Sequence, residues 1–215
     1  MGYRAVDKEF EETIIIQKSK FITTLVPIAS YEDAQSKLNI IKKKYSDATH
    51  NCYAFISSEN AIEQRFSDDG EPQGTAGVPI LEVLKKKNIY MTLCVVTRYF
   101  GGIKLGASGL VGAYSSCASS AIDNANIVEY KFSNEIEIIL DYSLYKKAEE
   151  LITKYEGQES NIEYSDCVKI QCVVPVDNAK ALQDDIINLT SGQAKIEIKN
   201  TKYNKFTEAK KWKLH

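Results

Sequence analysis

Two segments of this chain bring acid, base and glycine together at close spacing: residues 67–77, SDDGEPQGTAG, and residues 98–109, RYFGGIKLGASG. Glycines there let backbone N–H groups approach a ligand. Each segment is expected to follow a strand and open a helix, whose N-terminus offers unpaired donors and partial positive charge. The combination suits an anion such as a phosphate. Arg98 and Lys104 add charge to the second segment, whereas Asp68, Asp69 and Glu71 would repel phosphate from the first unless paired with Arg65 or Arg98 or bridged by a metal. Neither segment carries GxGxxG or a GxxxxGK followed by Ser or Thr. Tight turns, close packing and helix capping stand as the competing structural reading.

His50 and the final residue, His215, are the two histidines. His50 precedes Cys52 by two positions, so a strand points both to one face, ~7 Å apart at ~3.3 Å per residue. That separation is poor for proton transfer and argues against a Cys-His hydrolase. His50 stands between a structural hydrogen bond and a polar or acid–base role toward a ligand. The five cysteines, Cys52, Cys94, Cys117, Cys167 and Cys172, form no CxxC and are expected as buried reduced thiols. No zinc-ligand spacing is present. Asp68, Asp69 and Glu71 could hold Mg²⁺, against the alternative of a solvated acidic turn; no metal and no cofactor is expected. The lysine triplets 42–44 and 85–87 fall in the last turns of expected helices, where cations offset the dipole. Residues 195–213 hold seven lysines and two acids among Tyr203, Phe206 and Trp212, a pattern that fits either a nucleic-acid contact or a solvated terminus.

The elements that position these residues follow from periodicity. Eight of the 11 glycines lie from Gly70 to Gly112, so one region needs unusual backbone geometry. Strands are expected at 12–17 and 20–27. A helix follows, capped by Ser30 with Asp33 at its third position and striped by Ala34, Leu38, Ile41 and Tyr45. Next come a strand at 52–57, a helix with Pro79 at its start, a strand at 90–97, and a helix carrying Leu110, Tyr114, Cys117, Ala118 and Ala121. This reads as α+β with helices on one side of a sheet. From residue 136 the order is strand, helix, strand, strand, helix, strand (136–140, 144–155, 162–164, 168–175, 178–189, 194–199), with Ile196 and Ile198 inward on the last. That is the split βαβ of a ferredoxin-like domain. A boundary near residue 135 gives domains 1–135 and 136–215.

At 215 residues, 44% hydrophobic and a formal net charge of -2, the chain can bury a sizeable core and lacks the field of a general polyanion binder. No run approaches the ~20 apolar residues of a membrane helix. The start, MGYRAVDKEFEETIIIQ, has no basic-then-apolar leader, so a cytoplasmic protein without membrane contact is the default expectation. The near-neutral total is a sum of unlike parts. Residues 1–135 carry 15 basic and 16 acidic groups, residues 136–194 five and 11, and the last 21 residues seven and two.

The blocks ATHNCYAF, RFSDDGEPQGTAGVPILE and VVTRYFGGIKLGASGLVGAY closely resemble the signature blocks of the Impact family, in its bacterial YigZ-type branch. The resemblance spans about residues 18–125. It implies an N-terminal fold like ribosomal protein S5 domain 2 and the fourth domain of elongation factor G, followed by a ferredoxin-like domain similar to the elongation factor's domain V. By the same resemblance the family's shared positions here are His50, Cys52, Asp68, Asp69, Gly70, Glu71, Pro72, Gly74, Thr75 and Gly77 in the first block pair. In the third block they are Arg98, Gly101, Gly102, Lys104, Leu105 and Gly106. With Tyr99 and Phe100 they are expected to form one ligand-binding surface. Many bacterial relatives read GGLVRAY where this chain has SGLVGAY, which removes an arginine at Gly112 as a phosphate contact.

The leading expectation is a non-enzymatic, translation-associated regulator that binds RNA or the ribosome. The family's eukaryotic members act by protein binding in translational stress control, which supplies the alternative of a protein-interaction module. An enzyme acting on a phosphorylated small molecule is the third reading, resting on Asp68, Asp69, Glu71 and Arg98. Oligomeric state and the identity of any partner are open at this point.

Overall fold

A computed structural model describes residues 2–206. The described residues divide into two compact units, Tyr3–Val128 and Glu129–Phe206 together with Gly2. In the first unit the elements run β1 (Gly2–Val6), β2 (Phe10–Ile16), β3 (Ser19–Pro27), α1 (Tyr31–Lys44), β4 (His50–Ile56), β5 (Gln64–Ser67), α2 (Gly77–Lys86), β6 (Thr92–Tyr99) and α3 (Gly106–Asn124). An antiparallel sheet has the order β2-β3-β6-β4-β5.

Its central strands are apolar on both faces, and this decides the layering. Phe21, Leu25, Cys52, Ala54, Cys94 and Val96 join α2 and α3 in one core. Ile22, Val26, Tyr53, Phe55, Leu93 and Val95 join α1 in another. The helices therefore lie on both faces of the sheet, which corrects the one-sided expectation. When both alternate sets of a strand are apolar, periodicity cannot say which face a helix will cover.

Helix α1 starts where its cap demands. Ser30 Oγ accepts the Asp33 N–H at 3.2 Å, and Asp33 reaches back to accept the Ala29 N–H at 2.8 Å. Its lysine triplet does more than offset a dipole, because Lys42 reaches Asp69 at 2.6 Å and Lys44 reaches Glu11 at 2.7 Å.

The second unit contains β7 (Ile127–Leu140), a 3₁₀ turn (Tyr142–Leu144), α4 (Tyr145–Lys154), β8 (Gln158–Tyr164), β9 (Val168–Pro175), α5 (Val176–Leu189) and β10 (Lys195–Phe206). The antiparallel strands of this unit run β10-β7-β9-β8. Ile136, Ile138, Val168, Ile170 and Val174 pack against Ala148, Ile152, Leu182 and Ile186 of the two helices. The two compact units meet in the chain at Val128, and β7 runs unbroken through residue 135 for 14 residues. Strand β10 also runs on to Phe206, with a register shift between Ile198 and Asn200. That irregularity leaves Ile198 47% exposed, so it is not inward as the alternation suggested.

The basic stretch is accordingly strand up to Phe206, with Lys199 paired to Glu137 and Glu197 and Lys202 to Glu135. Lys210, Lys211, Trp212 and Lys213 lie outside the described residues. All five cysteines are free thiols; four are buried, while Cys167, expected buried, sits half-exposed in the turn before β9. Among the described residues no helix is long and apolar enough to cross a membrane.

Two glycines test the packing in opposite directions. A Cβ on Gly101 would lie 1.9 Å from the Lys18 carbonyl oxygen, whereas one on Gly112, inside α3, meets nothing within 4 Å. Gly101→Ala is expected to lower stability by about 1–3 kcal/mol through enforced backbone displacement. Gly112→Ala should raise it by roughly 0.5–1 kcal/mol through helix propensity. Urea unfolding of both variants measures the difference, and equal effects would contradict this packing.

Candidate functional site

Sheet register gathers the first group of candidate residues. Arg98 on β6 pairs with Phe21 on β3 and with His50 on β4, so the three stand side by side on the face covered by α2 and α3. Cys52, two residues after His50, shares that face. The loop between β5 and α2 closes over this row and supplies Asp68, Asp69 and Glu71.

Arg98 is 5% exposed and Glu71 8%. Arg98 Nη1 donates to Glu71 Oε1 at 2.6 Å, and the Tyr114 hydroxyl donates to the same oxygen at 2.8 Å. Arg98 Nη2 donates to Ser19 Oγ at 3.3 Å, which also accepts the Gly101 N–H at 3.2 Å. The Phe21 and Phe100 rings lie 5.4 and 5.5 Å from the guanidinium carbon. Arg98 is thus a neutralised internal cation, and not a charge offered to a surface ligand as its sequence position suggests. Its Nε is buried without a hydrogen-bond partner.

The acids of the first loop are likewise committed. Asp68 accepts the N–H groups of Gly74, Ala76 and Gly77 at 2.8, 3.0 and 2.9 Å. This carboxylate therefore occupies the donors at the start of α2, whose own N-cap, Ala76, has no side chain to do so. Burial raises the Asp68 pKa, but the three backbone donors outweigh it and hold the group below its usual range. Asp69, at φ 46°, accepts the Asn51 N–H at 2.7 Å and the Lys42 ammonium at 2.6 Å. Arg65, one of the two arginines that could have paired with these acids, meets the Tyr31 hydroxyl. Among the described residues no group of three His, Cys, Asp or Glu side chains is arranged to hold a metal ion.

His50 Nδ1 lies 2.9 Å from the Asp69 carbonyl. A carbonyl oxygen only accepts, so Nδ1 donates there, and Nε2 lies 3.9 Å from Glu71 Oε2. Cys52 Sγ lies 2.9 Å from the Asp68 carbonyl and 3.3 Å from the Tyr114 hydroxyl. Burial pushes the Cys52 thiol up to about 12, and burial followed by the nearby Cys52 and Glu71 pushes Tyr114 far above its ordinary value. Both stay protonated near neutral pH, so neither is a ready nucleophile.

The candidate residues consequently separate into two sets. Cys52, Glu71, Thr75, Gly77 and Arg98 are buried, with Thr75 donating to the Pro72 carbonyl at 2.6 Å. His50, Asp68, Asp69, Gly74, Tyr99, Gly101 and Leu105 are partly exposed; Gly70, Pro72, Phe100, Gly102, Lys104 and Gly106 are open to solvent. Helix α3 begins within the open set. Its N-cap residue, Leu105, makes no side-chain cap, and its first turn carries no acid. A cleft of about 830 Å³ lined by Lys86, Lys87, Ser115 and Ser119 takes in none of the candidates.

Sequence reasoning missed Ser19, Asn51 and Tyr114 as members of this network. Tyr114 sits at a helical core position, and nothing in that spacing says that its hydroxyl meets a carboxylate 43 residues away.

Comparison with known proteins bears on the whole chain. A family model described as the Impact N-terminal domain matches residues 17–122, and one described as a domain of unknown function (DUF1949) matches residues 138–193. The chain is 40% identical over 196 residues to the IMPACT family member YvyE of Bacillus subtilis (strain 168), covering 91% of this chain and 90% of the relative. It is 29% identical over 183 residues to the IMPACT family member YigZ of Escherichia coli (strain K12), covering 84% and 90%. A solved structure described as the crystal structure of an hypothetical protein is 26% identical, with a TM-score of 0.57, over 93% of this chain and 98% of that one.

Breaking the buried pair from one side is expected to cost about 3–5 kcal/mol, in Glu71→Gln or Arg98→Met, because the surviving partner is left buried and less well compensated. Acid should act through Asp68. Its pKa is depressed on folding, so its contribution is fully present above the unfolded value near 3.8 and disappears as pH falls through the lower folded value. Urea unfolding between pH 5 and pH 2 should therefore show a steeper loss for the unmodified chain than for Asp68→Asn, and parallel curves would contradict that role.

Proposed function

The chain belongs to the Impact family, and from that premise we propose that it is a non-enzymatic regulator associated with translation, binding RNA or the ribosome through the loop that opens α3. The observation that carries this reading is the contrast between two helix starts. Asp68 fills the donors of α2, while α3 begins uncapped at exposed Gly106 beside exposed Lys104. An open helix start with a neighbouring ammonium group suits a phosphate of a nucleic-acid backbone.

Further groups support the same loop. Lys18 is exposed in the β2–β3 turn, and its backbone packs directly on Gly101. Neither Lys18 nor Lys104 has an ion-pair partner among the described residues. Phe100 is 47% exposed, which offers a stacking face of the kind that single-stranded RNA uses. The second unit's strand order, with two helices packed on one face, supports a ferredoxin-like reading. With an S5-domain-2-like first unit, it would give a pair of folds resembling two adjacent domains of a translation factor.

A second reading uses the same loop for a protein partner. Exposed Phe100, Ile103 and Val111 favour it, since scattered apolar groups around one loop suit a protein contact as well as a base. An enzyme on a phosphorylated substrate is poorly supported, because Glu71, Arg98, Asp68 and Asp69 are all engaged internally.

Filter binding of a single-stranded RNA at rising KCl concentration, together with co-sedimentation with ribosomes, tests the proposal. Affinity should fall steadily with salt, and Lys104→Glu should weaken binding and reduce the logarithmic salt slope by about one phosphate contact. A flat salt dependence with no co-sedimentation would sink it. Loss of a pulled-down protein partner in Phe100→Ala, without any RNA effect, would favour the second reading.

A further inference from the structure

The second unit carries a surface of different chemistry. Three tyrosines meet at one corner: Tyr142 in the 3₁₀ turn, Tyr145 at the start of α4 and Tyr164 at the end of β8. The Tyr164 ring centre lies 5.8 Å from that of Tyr142 and 6.1 Å from that of Tyr145, inclined at 52° and 80°. Tyr142 is 65% exposed and Tyr164 57%, so two of the three rings forgo most of the burial that makes aromatic residues useful to a core.

Carboxylates without counter-ions stand beside the rings. The Tyr145 hydroxyl donates to Glu159 Oε2 at 3.4 Å, while Glu159 Oε1 is buried with no hydrogen-bond partner. Glu149 follows Tyr145 by one helical turn. Burial, and then the charge on Glu149, push the Glu159 pKa up. Among the described residues neither Glu149 nor Glu159 has an ion-pair partner.

We propose that this corner recognises a cationic side chain, arginine in preference to lysine, presented by a basic polypeptide. A guanidinium is planar and weakly hydrated, so it can stack on an exposed tyrosine face more readily than an ammonium group, with the negative charge of Glu149 and Glu159 beside it. The charge of the surroundings favours such a partner: residues 136–194 hold 11 acids and five bases, a field that repels the phosphates of RNA and draws cations. The chain's own lysines at the end of β10 are poorly placed to serve. Strand β10 pairs with β7, at the opposite edge of the sheet from β8 and Tyr164. The occupant proposed is a separate polypeptide. The proposal is independent of RNA binding by the first unit.

Fluorescence anisotropy with the full chain tests it, using a fluorescein-labelled peptide of alternating arginine and glycine, its lysine counterpart and its glutamate counterpart. The arginine peptide should bind most tightly and the glutamate peptide not at all. Tyr142→Ala and Tyr164→Ala should each weaken arginine-peptide binding about three- to tenfold. Tyr164→Phe, which keeps the ring face, should stay within about twofold, and Glu159→Gln should weaken binding as the tyrosine variants do. Asp177→Asn, which removes a negative charge at the start of α5, serves as the comparison for general attraction. No binding of the arginine peptide, unchanged binding in both alanine variants, or equal weakening by Asp177→Asn and Glu159→Gln would overturn the proposal.

Discussion

A guanidinium held at 5% exposure has to be neutralised where it stands, because a buried charge without a partner costs several kcal/mol. The first unit is arranged around that requirement at Arg98. Register sets Arg98 between Phe21 and His50, and the β5–α2 loop brings a carboxylate to it. The loop must therefore fold inward far enough to place Glu71 at 2.6 Å. Tyr114 then fixes the same oxygen from α3, and Ser19 ties the other guanidinium nitrogen to the Gly101 turn. One ion pair thus joins a strand, two glycine-rich loops and a helix. It contributes to holding their positions as well as to stability, since a pair with poorer geometry would not offset the desolvation of its members.

The same closure decides which loop remains available to a ligand. Turning Glu71 inward carries Asp68 onto the first donors of α2, and that helix start is closed by the chain's own carboxylate. The second glycine-rich loop turns the other way. Gly101 packs on the Lys18 backbone, and the chain then runs outward through Gly102 and Lys104 before α3 begins. Two segments with similar composition consequently have opposite fates, one used as a cap and the other left with exposed donors and a lysine that has no ion-pair partner among the described residues.

Charge is distributed in the same divided manner. Exposed Lys18 and Lys104 of the first unit stand by the loop that opens α3, whereas the second unit combines exposed Tyr142 and Tyr164 with Glu149 and Glu159, which have no counter-ion among the described residues. A chain with a net charge of -2 therefore carries surfaces of unlike local charge, and the total describes neither.

The sequence by itself determined much of the element list. Ser30 and Asp33 announce the start of α1, the apolar stripe of α3 announces its buried face, and the second unit's succession of strands and helices follows from local periodicity and turn residues, which act over a few positions. It did not indicate β1, which is only five residues long, nor the first half of β7 and the extension of β10 to Phe206, which pair with each other from distant parts of the chain. It gathered the charged residues of the two loops as one candidate surface but could not sort them. Whether Arg98 faces water or Glu71, whether Asp68 meets a metal or three amide groups, and on which side of the sheet α1 lies are all decided by contacts between residues far apart in the chain. Only the tertiary structure supplies those contacts, since burial and partner geometry, which fix the state of a charged group, are properties of the packed neighbourhood and not of the residue.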